Sequence, residues 1–240
     1  MIYFILFLLS TATSILSGTI GMAGGIVLLS LLTFVLPFEL LIPIHGTAQL
    51  VSNFSRLLFL RKNINLIVLK WYMVGSVFGS LLSVLVIKSV ENKEVFLLLI
   101  AGIIFYTLFK PKKLPKIQIP LWAFSFVGFG AGFLSLLVGA TGPFIAPFFL
   151  RDEFSKEEIV ATKAAVQCFT HFLKLPAFFY LGFAFSEHLG FIMVLSAGAI
   201  VGTKIGVSIL KGLPEKQFRI LFRLALFAAA CRLVYKVFLG

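Results

Sequence analysis

From Met1 to Phe38 the chain carries no Asp, Glu, Lys or Arg, and the same holds from Ile117 to Leu150. As straight helices at about 1.5 Å per residue, such runs would reach roughly 50 Å, well beyond a bilayer core of about 30 Å. Each run is interrupted near its middle, by Gly18-Thr-Ile-Gly-Met-Ala-Gly-Gly25 in the first and Gly139-Ala-Thr-Gly-Pro143 in the second. Breakers at matching places predict broken helices or re-entrant hairpins rather than two simple crossings. Two further uncharged runs, Trp71–Ile87 and Val95–Phe109, are long enough to enter a bilayer. With 60% apolar residues, 29 Phe and only 12% charged residues, the chain carries more apolar side chain than a soluble domain can bury. The expected fold is an all-α polytopic membrane protein.

The polar residues repeat. Shifted by 118 positions, Ser17 falls on Ser135, Gly21 on Gly139, Gly24 on Gly142, Gln49 on Gln167 and Phe54 on Phe172. In the same register Asn53 meets His171 and Arg56 meets Lys174. Further along the shift becomes 123: Gly75 and Gly79 meet Gly198 and Gly202, and Lys88 meets Lys211. These matches fall on glycines, amides and charges, where chance apolar similarity does not help. They divide the chain into a first membrane repeat (1–110), a basic linker (111–117) and a second membrane repeat (118–240), each with four segments. The segments are 1–36, 40–60, 65–87 and 94–109, then 118–150, 157–181, 188–210 and 216–239. The Gly-x-x-x-Gly pairs predict close packing of segments three and seven, against each other or against the broken segments.

Basic residues choose between two topologies. If segments one and five each cross once, the repeats are parallel and the basic residues divide ten to seven across the membrane. If both segments dip in and return, the repeats are inverted and the division is thirteen to four. The positive-inside rule favours the inverted arrangement with re-entrant segments one and five. A broken helix that crosses would restore the parallel one. Met1–Ser17 could be mistaken for a signal peptide, but it lacks a basic start and runs on past Gly18, so it reads as mature structure.

The net charge of +12 resides mostly at the ends of apolar runs, where positive-inside sorting and headgroup contact account for it. The expected partners are therefore the lipid bilayer and a small substrate, with no nucleic acid; a homodimer stays open. Cys168 and Cys231 lie in apolar segments with no clustered His, so both read as small core residues and no disulfide, metal site or cofactor is expected.

All nine acidic residues lie at or near segment ends, which argues against a cation as cargo. The polar residues inside the segments are cations, amides and hydroxyls: His45, Thr47, Gln49 and Asn53 on segment two, Lys163, Gln167 and His171 on segment six. The spacing i, i+4, i+8 of 45, 49, 53 and of 163, 167, 171 places each set in one helical stripe. Lys163 could instead snorkel to the interface, and Arg56 and Lys174 are expected to do so. His45, His171, Gln49 and Gln167 could merely join helices by hydrogen bonds. Free backbone N–H groups at the breaks, approached closely at Gly24, Gly25, Thr141 and Gly142, would favour an anion. Together these residues are the candidate substrate-binding set for a small oxyanion.

The stretches GTIGMAGGIVLLSLLTFVLP (18–37), HGTAQLVSNFSRLL (45–58) and GSVFGS (75–80) resemble the TauE/SafE family of sulfite and organosulfur anion exporters, permease-like membrane transporters. So do VGATGPFIAPFFL (138–150), VATKAAVQCFTHFLKLPAFFYLGF (160–183) and GAIVGTKIG (198–206), so the resemblance covers essentially the whole chain in the family's order. Two positions depart from it: Ala23 stands where another glycine is common, and Thr141 interrupts the second glycine run. The resemblance implies a secondary transporter, an exporter, of sulfite, thiosulfate or an organosulfonate, in a bacterial-type inner membrane. Its site would lie between the two breaks, with His45 and Lys163 offsetting charge and Gln49 and Gln167 orienting oxygens. Proton coupling would run through His45 or His171; channel-like anion uniport and a non-transporting membrane partner or assembly protein are the alternatives. An intramembrane enzyme is not expected, because no nucleophile stands with a base and no metal cluster is present in the sequence.

Overall fold

A computed structural model describes residues 1–87 and 118–238, together with Leu98, Ala101, Gly102, Phe105 and Phe109. The linker 111–117, most of segment four and Lys88 of the Lys88/Lys211 match lie outside the described residues. The described elements are helices: α1 (Ile2–Ile20), α2 (Gly24–Leu32), α3 (Phe38–Phe59), α4 (Leu66–Val86), α5 (Phe124–Val138), α6 (Gly142–Ile145), α7 (Lys156–Tyr180), α8 (Leu189–Gly212) and α9 (Glu215–Phe238). Among the described residues four stretches are long and apolar enough to cross a membrane: Ile2–Ile20, Leu66–Val86, Leu121–Val138 and Phe185–Gly212. α3, α7 and α9 are as long but carry more polar side chains.

Both long apolar runs break where their glycines stand. α1 stops at Gly21 and α5 at Gly139, with φ of 79° and 84°. The N–H of Gly21 donates to the Ser17 carbonyl (2.8 Å) and that of Gly139 to the Ser135 carbonyl (3.2 Å). A left-handed cap ends a helix at little cost only when the residue lacks a Cβ. Beyond each cap the chain folds back on the helix it has just left. A Cβ on Gly24 would collide with the Thr13 carbonyl and Ser17 Oγ, and one on Gly130 would lie 2.7 Å from the Phe144 ring.

α7 starts on an N-cap: Ser155 Oγ accepts from the Glu158 N–H at 3.2 Å, and Glu157 and Glu158 occupy the first turn. α4 starts on Asn65, whose side chain accepts from the Val68 N–H. Lys156 caps the other end of α8, donating to the carbonyls of Leu210 (2.9 Å), Lys211 (3.3 Å) and Leu213.

The helices pack through the glycines. A Cβ at Gly75 or Gly79 would collide with the carbonyl oxygens of Ser125 and Phe129 on α5; one at Gly198 or Gly202 would meet those of Phe7 and Thr11 on α1. Segments three and seven are thus packed against the broken segments, not against each other. The positions correspond through the same shifts: 7 to 125 and 11 to 129 by 118, 75 to 198 and 79 to 202 by 123. The exchange continues at the breaks, where a Cβ on Gly21 would meet Val160 and one on Gly139 would meet Ile42, again 118 apart. α3 and α7 pack face to face at the centre. Gly75→Val is expected to lower the melting temperature of the purified protein, by overpacking worth about 1–3 kcal/mol or more. Gly212→Ala, where an added Cβ meets nothing within 4 Å, should leave it unchanged.

The two ends of the bundle differ. At one end Arg151 Nη1 donates to the Ile119 carbonyl (2.6 Å), Arg219 to the carbonyls of Arg151 and Phe154, and Asn65 to Thr162 and Glu158. These bonds gather the connections that carry Arg61, Lys62, Arg151, Lys156, Lys211 and Arg219, and they bring both ends of segment five together. At the other end Tyr3 packs on Phe191 (5.7 Å between ring centres), and Leu6, Leu36, Leu41, Phe183 and Phe191 share an apolar cluster. That cluster brings both ends of segment one together.

One cysteine departs from its expected place. Cys168 is half-buried, but Cys231 is exposed on α9, because the inner face of that helix is filled by Phe218, Phe222, Leu226 and Ala230.

Candidate functional site

The two glycine tips and the facing helices α3 and α7 enclose a small cavity. α1, α2 and the turn between them contribute Ser17, Gly21, Met22, Ala23, Gly25 and Ile26; α3 contributes His45, Gln49, Asn53 and Arg56. Ala140, Gly142 and Pro143 come from the second break, and Gln167 and His171 from α7. Its volume is about 20 Å³, room for about one water.

Most of the residues singled out in the sequence come together here: His45, Gln49, Asn53, Gln167, His171, Gly25 and Gly142 all line the cavity. The glutamines reach the breaks. A Cβ on Gly25 would lie 3.1 Å from Gln49 Oε1, and one on Gly142 would lie 3.2 Å from Gln167 Nε2. His45 Nε2 donates to the Gly25 carbonyl at 2.8 Å, which leaves Nδ1 as an acceptor without a partner. The rings of His45 and His171 stand edge to face, 6.1 Å apart.

Four of the candidates lie elsewhere. Thr47 is turned back to the Ile44 carbonyl (2.7 Å), and Gly24 is packed into α1 as described. Thr141 is buried with its hydroxyl unpartnered, outside the lining. Lys163 does not share the cavity with its counterpart His45; its ammonium lies 5.0 Å from the centre of the Phe222 ring on α9.

The expectation that Arg56 and Lys174 snorkel is corrected. Both are 1% exposed, and Lys163 is 0% exposed. Arg56 lines the cavity: its Nη2 donates to Ser52 Oγ (3.1 Å), and its Nε has no partner. Ser52 is itself tied to Ser14 of α1 (3.2 Å) and Thr203 of α8 (3.3 Å), so three helices fix the guanidinium. Lys174 donates to the Gly139 carbonyl at 2.5 Å and so clamps the second break. The stripe itself carried the signal for both residues, since 45, 49, 53, 56 and 163, 167, 171, 174 continue one face at i+11.

Two buried cations thus lie at the breaks, Arg56 in the cavity and Lys174 on the Gly139 carbonyl, and Lys163 is buried one turn along α7 from Gln167. Among the described residues no Asp or Glu is buried, and the ion pairs Arg151–Glu153, Lys156–Glu157 and Arg219–Glu215 all lie at the basic end. A buried cation with no carboxylate is costly unless hydrogen-bond acceptors or a visiting anion offset it. Asn53 Oδ1, His45 Nδ1 and His171 Nδ1 are also buried without partners. The cavity thus combines unpartnered polar atoms with the buried guanidinium of Arg56.

The profile of the family described as Sulfite exporter TauE/SafE matches residues 6–233. The chain belongs to that family. Membership makes it a membrane protein of a sulfite and anion exporter family, and the apolar helices of the fold agree with that. The comparisons with curated proteins and with solved structures gave no match.

Proposed function

We propose that the chain is a secondary transporter that exports a small oxyanion, such as sulfite, thiosulfate or an organosulfonate, bound in the cavity between the two glycine breaks. The observation that carries this is the set of buried cations around the breaks with no buried carboxylate among the described residues. Arg56 is the principal counter-charge, with its free Nε directed to the guest and its other end held by Ser52. Gln49 and Gln167 orient the guest's oxygens, and the first N–H groups of α2 add donors at its positive end. His45, already committed as a donor to Gly25, offers Nδ1 to a proton that an acid anion brings with it.

The proposal includes two inverted repeats, 1–110 and 118–240, each with one re-entrant segment. It is supported by contacts that exchange between equivalent positions, and by each of segments one and five returning to the end of the bundle where it began, segment five at the basic end and segment one at the other. The basic end then faces the cytoplasm of a cell bounded by this membrane. Single cysteines at Asp152 and Lys62 should label from one face and a cysteine at Glu187 from the other. Labelling of 152 and 187 from the same face would contradict the inverted arrangement.

Transport itself is tested in proteoliposomes loaded with radiolabelled sulfite, thiosulfate or methanesulfonate. Saturable flux of at least one of them, with no flux of alkali cations, is expected. Flux no greater than that of empty liposomes for all three would sink the proposal.

A further inference from the structure

Lys163 is a buried cation that the cavity does not use. Its Nζ has no hydrogen-bond partner, and its neighbours are the face of Phe222 and the charge of Arg56. The nearest acid in sequence is held away, since Glu158 accepts from the Asn65 side chain at the basic end (3.0 Å). The polar stripe of α7 passes through the cavity at Gln167 and His171, and Lys163 stands one turn, about 6 Å, nearer the basic end. On the far side of the cavity the same stripe ends at Lys174, which is bonded to Gly139. The two flanking ammonium groups therefore differ: one is tied to backbone and the other is free.

We propose that Lys163 is a second anion station on the route between the central cavity and the basic end, and that Phe222 is its gate. This rests on the central cavity being an oxyanion site. When the route is empty, Arg56 and Lys163 repel one another and the ammonium rests on the aromatic face. An oxyanion leaving Arg56 relieves both charges as Phe222 swings aside. The station takes the same guest as the cavity, and its effect falls on the rate of passage rather than on equilibrium occupancy.

The test uses full-length protein, with radiolabelled sulfite flux in proteoliposomes and sulfite Kd on the purified protein. Lys163→Met, which keeps length and removes the charge, is expected to slow flux at least about tenfold while Kd changes less than about threefold. Lys163→Arg should recover most of the flux. Phe222→Leu should raise flux about threefold or more at unchanged Kd, whereas a purely structural anchor would leave flux unchanged or lower it. Flux within twofold of the wild type in Lys163→Met overturns the station. So does a loss of binding as large as that of Arg56→Gln, or, if Lys163→Met does not fold, unraised flux in Phe222→Leu. A wild-type protein that binds no sulfite overturns the central site and the station together, a result distinct from any of these.

Discussion

Arg56→Gln is expected to weaken sulfite binding at least about 30-fold and to abolish measurable flux, while the empty protein keeps or gains thermal stability. The two directions follow from one fact. In the empty chamber Arg56 is a buried guanidinium with no buried carboxylate to meet it among the described residues, so replacing it by an amide removes an uncompensated charge. With an oxyanion bound, the same guanidinium is half of a buried charge pair, and losing one partner of such a pair costs roughly 2–5 kcal/mol. At 1.4 kcal/mol per decade, the lower figure is already about 30-fold in Kd. A folding defect would lower stability and binding together; the account requires them to move apart. Arg56→Lys should retain part of the affinity, because it keeps the charge but loses the planar fork that Ser52 orients.

Gly25→Val carries the second largest effect, through space rather than charge. The cavity has room for about one water, and a Cβ at Gly25 already approaches Gln49 Oε1 to 3.1 Å. The two further methyl groups of valine would occupy the volume an oxyanion needs and push Gln49 off the guest. Flux is expected to fall at least about tenfold, with a smaller loss of melting temperature than in Gly75→Val, because the added atoms press on the Gln49 side chain and not on packed backbone. Proteoliposome flux and thermal melting of the same preparation check this. Full flux through Gly25→Val would place the substrate elsewhere in the molecule.

Much of the fold was legible from residues with strong local physics. Gly21 and Gly139 had to end their helices because the left-handed cap needs no Cβ. The Gly-x-x-x-Gly pairs announced tight packing but not its partner, since small residues permit approach from any helix of suitable shape. The site was legible where the stripes are regular: His45, Gln49, Asn53, Gln167 and His171 share a cavity as their spacing required. Arg56 and Lys174 were misread because distance from a segment end reveals depth but not direction. Their register, three turns on from His45 and Lys163, turns them inward. Lys163 and His45 are equivalent in sequence yet part company in space, because His45 meets the carbonyl of Gly25 on α2 while Lys163 meets Phe222 on α9. Positions that match in sequence fix a place along a helix, but the neighbours each side chain meets are set by tertiary packing.

The central claim is that the buried cations at the meeting of the two breaks hold one small oxyanion. Equilibrium dialysis of radiolabelled sulfite against purified wild-type and Arg56→Gln proteins tests it most directly. The account predicts one saturable site per chain in the wild type and none measurable in the variant over the same concentration range. Absence of saturable binding to the wild type, or equal binding by both proteins, would contradict it.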